Sequence, residues 1–350
     1  ILTREVPSQP SGKTPRVQLT LSELDLPLVH TFTIARGSES TARSVALRLA
    51  WNGLEGWGEC SPSERYHESR ESVMAWFEAH PPAGDDPYAL EALLDGLPPA
   101  ARCALDIALH DLIGKDLGRP LWQLFGLDPS RTPVTSFTIG IDEPDAMLAK
   151  LDEIRDHPIV KLKLGTANDI ETVAAIRARY TGTLRVDANE AWTPERAVEI
   201  LGELERYDIE FCEQPIPAGS PERLRWIRER VKIPLVTDED SRDAADLPAL
   251  RGCVDGINIK LVKCGGLRAG LAMIHTARAL GLKIMLGCMV ESAILTTAAA
   301  HLSPLVDWAD LDGPFLTRED PFAGVTYAHG KLVLPDAPGL GVRERAPSSR

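Results

Sequence analysis

The sequence predicts an α/β fold, a (β/α)7β barrel of the TIM type preceded by an N-terminal α+β capping domain. Three observations predict it. Short strand-like runs recur through the second part of the chain, one unit every 25 residues or so, roughly the size of a strand, a helix and two loops. Amphipathic helix patterns fill the intervals between them. Nearly every strand-like run also delivers a charged residue at its C-terminal end, the level at which such barrels carry their chemistry.

The composition suits this size of fold. At 350 residues with 44% hydrophobic and 25% charged content, the chain has ample material for a buried core. A formal net charge of -13 argues against a nucleic-acid partner or an anionic membrane surface, both of which call for a basic face. No apolar run reaches the length of a membrane span. The start, "ILTREVPSQPSGKTPR", lacks the apolar centre of a signal peptide, and residues 1–15 read as a loose leader. Cys60, Cys103, Cys212, Cys253, Cys264 and Cys288 are scattered without a C-x-x-C pair. That pattern points to buried thiols in a reducing compartment, with the cytoplasm as the expected location. The sequence leaves a homo-oligomer open.

Residues 16–130 form the expected capping domain. "RVQLTLSELDL", "ARSVALRLAW" and "GLEGWGEC" read as strands, and "SRESVMAWFEAH", "DPYALEALLDGL" and "ARCALDIALHDLIGKDLG" as helices. Gly118, Pro120, Gly126 and Pro129 then punctuate the chain and set a boundary near residue 130. The barrel is expected over 131–335, with strands at "TSFTIG" (135–140), "IVKLKLG" (159–165), "TLRVDAN" (183–189), "IEFCEQP" (209–215), "IPLVTDE" (233–239), "GINIKL" (256–261), "KIMLGC" (283–288) and "WADLD" (308–312). Seven helices separate them, among them "TPERAVEILGELERY", "GLRAGLAMIHTARALG" and "SAILTTAAAHL", and no strong helix pattern follows the eighth strand. The segment "GVTYAHGKLVLPDAPGLG" is expected to return toward the first domain, with residues 336–350 as a tail.

Within "IVKLKLG", side chains alternate, so Lys161 and Lys163 share one face and Val160, Leu162 and Leu164 the other. A lone K-x-K on a half-exposed strand needs no function. Here the following strand ends add Asp187 and Asn189, Glu213, Asp238 and Glu239, Lys260, Cys288, and Asp310 with Asp312. "VDAN", "CEQP" or "TDED" taken singly fits a helix N-cap or a solvated loop, and Asp187 taken alone reads as structural. In register on adjacent strands, Asp187, Glu213 and Asp238 converge three carboxylates on one point, a hard oxygen set suited to Mg²⁺. Lys163 and Lys260 approach that point from opposite walls. Cationic neighbours, Lys161 among them, are expected to lower a lysine pKa toward neutrality, and Lys161 is also placed to contact a substrate carboxylate. A metal flanked by a base on each face suits removal of a proton α to a carboxylate. Gly265-Gly266 before a helix reads as a tight turn in preference to a phosphate site. Cys288, with no histidine in view, reads as pocket lining in preference to a nucleophile; none of the histidines falls at a barrel strand end.

The motifs "KLKLG", "RVDANEAW", "FCEQPI", "VTDED", "NIKLVKCGG" and "MLGCMVES" resemble the enolase superfamily, in its muconate-lactonizing-enzyme subgroup, over nearly the whole chain. The resemblance implies one Mg²⁺ per subunit on Asp187, Glu213 and Asp238, with Lys163 and Lys260 as the two general bases, the superfamily's pairing of a base with Mg²⁺. It suggests Lys163 for the R substrate and Lys260 for the S. The missing histidine at the seventh strand end sets the chain apart from the mandelate-racemase and sugar-acid-dehydratase subgroups. "WADLDGPFL" is similar to the dipeptide epimerases, in which a D-x-D pair, here Asp310 and Asp312, binds the substrate ammonium; two carboxylates facing one cation suit that role. "TIARGSES" and "ECSPSERYHES" resemble the capping loops of L-Ala-D/L-Glu epimerases, implying that Arg36 reaches a side-chain carboxylate of the second residue. Thr138, Cys288 and Val290 match substrate-contacting positions.

The resemblance therefore implies an isomerase acting on a small dipeptide such as L-Ala-L-Glu, by 1,1-proton transfer at the α-carbon of the C-terminal residue, with a place in recycling cell-wall peptides. The alternatives are another reaction of the superfamily, succinylbenzoate synthesis or cycloisomerisation, or a barrel that binds a small acid without catalysis. Two departures stand out. The stretch from Asp238 to Lys260 is short, which predicts a shortened loop, and "DED" places an additional carboxylate, Asp240, with no assigned role.

Overall fold

The computed structural model describes residues 3–5, 17–81, 84 and 86–346. Most of the expected leader lies outside the described residues, as do 347–350 of the tail. Within the leader, Thr3–Glu5 forms strand β1, antiparallel to β2 (Gln18–Ile34). Strands β3 (Gly37–Trp51) and β4 (Leu54–Cys60) complete a four-stranded antiparallel sheet.

The hairpin of β2 and β3 is longer than the sequence pattern suggests. Pairing runs from Gln18↔Ala50 out to Ile34↔Gly37, with an irregularity between Pro27 and Phe32. That outer arm, "HTFTIARGSES", leaves the core and reaches toward the barrel mouth, where Phe32, Ile34 and Arg36 line the cavity. Helices α1 (Arg70–Ala79), α2 (Leu90–Leu94), α3 (Pro99–Asp116) and α4 (Leu121–Leu124) follow. The pattern "DPYALEALLDGL" supplies only the five residues of α2. Helix α3 lies directly on β4, where a Cβ at Gly58 would fall 1.9 Å from the carbonyl oxygen of Ala104. Only glycine allows that approach.

The barrel strands are β5 (Phe137–Ile139), β6 (Ile159–Lys163), β7 (Thr183–Asp187), β8 (Ile209–Glu213), β9 (Leu235–Thr237), β10 (Gly256–Ile259), β11 (Lys283–Gly287) and β12 (Trp308–Asp310). They pair in sequential order as an eight-stranded parallel sheet, and a parallel bridge from Thr135 to Ala309 links its two edges. Both faces are buried, as parallel sheets require. Val160 and Leu162 pack outward, while Lys161 and Lys163 point inward, so the lysine strand is not half-exposed. Inside the barrel, Phe211, Val236, Met285 and Trp308 form an apolar plug of their own. Arg185 stacks its guanidinium over Phe211 at 5.1 Å and donates to Glu210 and to the Ala309 carbonyl, which satisfies this buried cation.

The outer helices are α5 (Pro144–Glu153), α6 (Asp169–Arg177), α7 (Pro194–Leu204), α8 (Pro221–Arg228), α9 (Leu247–Leu250), α10 (Leu261–Cys264), α11 (Leu267–Leu280), α12 (Ala293–Leu302) and α13 (Gly313–Leu316). Helix α7 shows why they form. Thr193 accepts from the Arg196 amide, Pro194 opens the first turn, and Ala197, Ile200, Leu201 and Leu204 bury one stripe. The expectation of seven full crossover helices needs correction at one place. The short stretch between Asp238 and Lys260 holds only the single turn α9, with Pro248 inside it.

Two carboxylates from the capping unit close the N-termini of barrel helices. Buried Glu59 accepts from the Ser292 amide (3.0 Å), its hydroxyl (2.5 Å) and the Leu295 amide (3.2 Å) at α12. Asp106 accepts from the Leu267 and Arg268 amides at α11. Negative charge at these positive helix ends ties the two units together. The C-terminal stretch returns to the first unit, as the Leu340 amide donates to Asp111 and Leu121 donates to the Gly339 carbonyl. Among the described residues no helix is long and apolar enough to cross a membrane.

The plug yields a stability prediction. Phe211→Ala leaves a cavity under Arg185 and is expected to destabilise the fold by roughly 3–5 kcal/mol, read as a lowered urea midpoint in chemical unfolding.

Candidate active site

Parallel register sets the site. Lys163 pairs with Asp187, Asp187 with Glu213, and Glu213 with Val236, so the ends of β6 to β9 stand at one level. Alternation then turns Lys161, Lys163, Asp187, Glu213 and, past Val236, Asp238 toward the barrel axis. Strands β6 and β10 lie four apart in the eight-stranded order, which sets Lys163 and Lys260 on opposite walls. Above them lies a cavity of about 760 Å³, roofed by the β2–β3 arm and the loop after β4. Arg36, Thr138, Lys161, Lys163, Asp238, Lys260, Cys288, Val290, Asp310 and Asp312 all line it, and Asp187 and Glu213 sit at its floor as ion-pair partners of those lysines.

The ammonium groups and carboxylates interleave. Lys161 Nζ lies 2.5 Å from Asp310 Oδ2, 2.6 Å from Glu213 Oε2 and 3.3 Å from Asp187 Oδ2. Lys163 Nζ is 2.6 Å from Asp187 Oδ2. Lys260 Nζ is 3.0 Å from Asp238 Oδ2, while Lys263 Nζ donates to Asp238 Oδ1 at 2.5 Å and to the Asp238 carbonyl. Asn258 Nδ2 donates to Glu213 Oε1 at 2.7 Å. Asp310 also accepts from the Ser136 hydroxyl, and Asp312 Oδ2 accepts from the Thr138 amide at 2.7 Å. Arg36 donates to Glu190 and to the Asn189 carbonyl, and pairs with Glu239 at 2.7 Å.

Burial and neighbours bias the protonation states. Burial disfavours the charge on Asp310, but Lys161 outweighs it and holds the carboxyl down at about 2. Burial and the Asp310 charge push Asp312 up to about 6. Burial, with Asp238 and Asp187, pushes Glu239 up to about 8. Lys260 moves opposite to the direction expected of a base, and Lys161, the expected source of the lowering, is itself raised. Burial favours their neutral forms, yet Asp310, Glu213 and Asp187 around Lys161, and Asp238 and Glu213 around Lys260, hold both above the ordinary lysine range. The carboxylates, not the neighbouring cations, dominate.

The donors that would hold a divalent cation have suitable chemistry. Asp187, Glu213 and Asp238 are buried hard-oxygen groups on adjacent strands, and Glu213 Oε2 accepts no hydrogen bond, only the ion pair from Lys161. Lysine ammonium groups lie among them, and the described residues hold no closed three-ligand cluster. Each of the three therefore keeps a cationic partner at the position where positive charge belongs.

Other expectations resolve plainly. Gly265 and Gly266, at φ 95° and 107°, form a tight turn, and the helix end beyond them is already filled by Asp106. Burial raises the Cys288 thiol well above its usual range, and its hydrogen-bond partner is Asp312, which fits a lining residue. Asp240 acquires a role. It accepts from Gln214 Nε2 and the Gly219 amide, both at 2.7 Å, and Gln214 Oε1 in turn accepts from the amides of Asp238 and Glu239. Sequence reasoning missed Lys263, Asn258, Ser136, Gln214, Glu190 and Arg65. Asn258 and Lys263 lie inside the quoted "NIKLVKCGG", at the positions facing Glu213 and Asp238; Gln214, Glu190, Arg65 and Ser136 lie inside other quoted stretches, and only the fold shows what each of them contacts.

Two family profiles match the chain. One is the mandelate racemase / muconate lactonizing enzyme N-terminal domain over residues 17–126, the other the enolase C-terminal domain-like family over 146–346. The chain belongs to the enolase superfamily. An L-Ala-D/L-Glu epimerase of Bacteroides thetaiotaomicron is 40% identical over 336 residues, covering 93% of this chain and 88% of that protein. A dipeptide epimerase of Enterococcus faecalis, solved with Mg and L-Leu-L-Tyr, superposes with a TM-score of 0.88 at 35% identity, covering 94% of this chain and 99% of that one. An enolase family member of Agrobacterium tumefaciens with homology to dipeptide epimerases, solved with sodium and L-Ala-L-Glu, gives a TM-score of 0.84 at 37% identity over 93% of this chain and 99% of that one. The barrel and its cap meet at the cavity.

The Asp240 brace can be tested. Asp240→Ala removes the acceptor that orders Gln214 and is expected to cost roughly 1–3 kcal/mol, measured as a lowered thermal midpoint with the fold retained by circular dichroism.

Proposed function

We propose that this protein is a Mg²⁺-dependent dipeptide epimerase acting on L-Ala-L-Glu or a close relative. The reaction is a 1,1-proton transfer at the α-carbon of the C-terminal residue. The observation that carries this reading is the pair Lys163 and Lys260 on opposite barrel walls, with Asp310 and Asp312 at the end of β12 lining the same cavity. A base on each face of one carbon can take a proton from one side and return it from the other. Inversion follows, with no redox change.

The residues divide the work by their chemistry. Asp310 and Asp312 face the cavity as a carboxylate pair for the substrate ammonium, with the Thr138 amide fixing Asp312. Cys288 and Val290 line the same cavity. Arg36 offers its guanidinium to a carboxylate on the second residue. Asp187, Glu213 and Asp238 would hold the Mg²⁺, which supplies positive charge next to the substrate carboxylate and so acidifies its α-proton. Lys161 keeps the floor of the site electrically balanced. The names of similar proteins support this reading, since several related dipeptide epimerases are solved with both Mg and a dipeptide. The Asp310–Asp312 pair, suited to an ammonium, speaks against succinylbenzoate synthesis and cycloisomerisation, whose substrates carry none. Six free thiols suit a reducing compartment, and we place the enzyme in the cytoplasm. We keep the division into a capping domain over 16–130 and a catalytic barrel over 131–335.

Three outcomes test the proposal. In D₂O with Mg²⁺, the glutamate α-proton of L-Ala-L-Glu should disappear from the proton NMR spectrum as L-Ala-D-Glu signals grow, and EDTA should stop both. A silent spectrum across a dipeptide library would sink the reading. Lys163→Ala or Lys260→Ala should each cut turnover by roughly 10²–10⁴-fold while the far-ultraviolet circular dichroism stays unchanged. The pH profile follows from Asp312. Held at about 6, it is neutral below that pH and cannot pair with an ammonium. Plotted for the free enzyme, kcat/KM should therefore show an acidic limb near pH 6, below the further rise set by a lysine base, and Asp312→Asn should remove that limb.

A further inference from the structure

Glu190 occupies an unusual place. It follows Asn189 at the end of the loop after β7, and both residues are left-handed, at φ 70° and 45°, although neither is glycine. Consecutive left-handed residues of this kind cost about 1–2 kcal/mol each and persist where the surroundings fix them. The Glu190 amide donates to the Gln214 carbonyl at 2.9 Å, which holds the loop against the end of β8. The side chain is thereby turned away from the barrel toward the cap, and it is 9% exposed.

Its carboxylate receives four hydrogen bonds from three separate segments. Oε2 accepts from Arg36 Nη1 at 2.9 Å and from Arg65 Nε at 3.0 Å. Oε1 accepts from Arg65 Nη2 at 2.9 Å and from the Ala218 amide at 2.9 Å. Arg36 is at the tip of the β2–β3 arm, and Arg65 is in the loop after β4. Both line the cavity, and their side chains are only partly covered, at 34% and 41% exposure. The other edge of Arg36 meets Glu239. Arg65 Nη1 has no hydrogen-bond partner among the described residues.

We propose that Glu190 is a positioning residue that clasps Arg36 and Arg65 together over the mouth of the cavity, and that the two guanidinium groups act as one unit in selecting dipeptides whose second residue carries a carboxylate. The inference rests on the reading of the site as a dipeptide epimerase and assigns Glu190 and Arg65 to its specificity. Two guanidinium groups on separate loops repel each other, and a shared, largely buried carboxylate is what keeps them side by side. Without it the loops carry like charges and separate, so an incoming carboxylate meets one mobile cation in place of an ordered pair. Chemistry at the α-carbon lies below this level and is not touched by the clasp.

The test uses the full chain with Mg²⁺ and two substrates, L-Ala-L-Glu and L-Ala-L-Leu, in wild type, Glu190→Gln, Arg65→Ala and the double variant. Each single change should raise KM for L-Ala-L-Glu about tenfold, with kcat within about twofold and the L-Ala-L-Leu parameters unmoved. The double variant should be no worse than the singles, because partners in one unit are not additive. Equal losses on both dipeptides would mean a structural role alone and overturn the proposal. Additive losses would overturn it as well, as would an unchanged or lowered KM for L-Ala-L-Glu. Arg65→Ala removes a partly exposed side chain, so it carries the test if Glu190→Gln does not fold. Wild type that turns over L-Ala-L-Leu but not L-Ala-L-Glu would defeat the selectivity claim and spare the epimerase reading. Wild type inactive on both would defeat the two together.

Discussion

Lys161 is a buried ammonium group, 1% exposed, held between Glu213, Asp310 and Asp187 at the bottom of the barrel mouth. A charge taken out of water at this depth is tolerated only when opposite charges and hydrogen bonds surround it. Most features of the site follow from that requirement. The carboxylates need cations as much as the lysine needs carboxylates, so Lys163 stands on Asp187, and Lys260 and Lys263 stand on Asp238. Uncharged groups complete the pairing, with Ser136 on Asp310 and Asn258 on Glu213. Losing one partner would leave a buried charge unpaired, which is far costlier than losing a surface ion pair.

Such a network needs a rigid frame, and the parallel barrel supplies it. Register between neighbouring strands brings Lys163, Asp187 and Glu213 to one level, and period-two alternation turns every second residue inward. Below the charges, Phe211, Val236, Met285 and Trp308 fill the axis and keep water out, with Arg185 stacked on Phe211 and paired to Glu210. The loop braces act at the next level. Asp240 orders Gln214, and Gln214 orders the backbone that carries Asp238 and Glu239. An acidic residue with no chemical assignment in the sequence thus fixes the direction of its neighbours.

The capping unit answers a different need. Barrel strand ends alone leave the charged mouth open to solvent, where screening weakens each interaction. Glu59 and Asp106 anchor the cap by closing the ends of α12 and α11, so the two units share helix dipoles as well as apolar surface. With the cap fixed, its two loops roof the cavity and bring Arg36, Arg65 and Tyr66 over the lysines. Chemistry then resides on rigid strands and selection on the loops above them, a separation that lets one change without the other.

The sequence by itself determined the barrel, its eight strands, and the charged residues at their ends, because hydrophobic periodicity and strand-end position are local properties written every second residue. Lys161, Lys163, Asp187, Glu213, Asp238, Lys260, Asp310 and Asp312 were all legible in this way, and the cap's alternating strands were legible for the same reason. Tertiary structure alone decided the direction of the lysine pKa shifts, since that depends on which charges lie within a few ångströms after the strands close, and carboxylates outnumber cations around Lys161. It also decided that the β2–β3 arm extends to the mouth, that the fifth crossover keeps a single turn, and that Asp240, Lys263 and Glu190 act through other residues. Those roles join segments 21 to 154 residues apart in the chain. No local pattern encodes a contact between residues so far apart, and only closure of the barrel under its cap creates it.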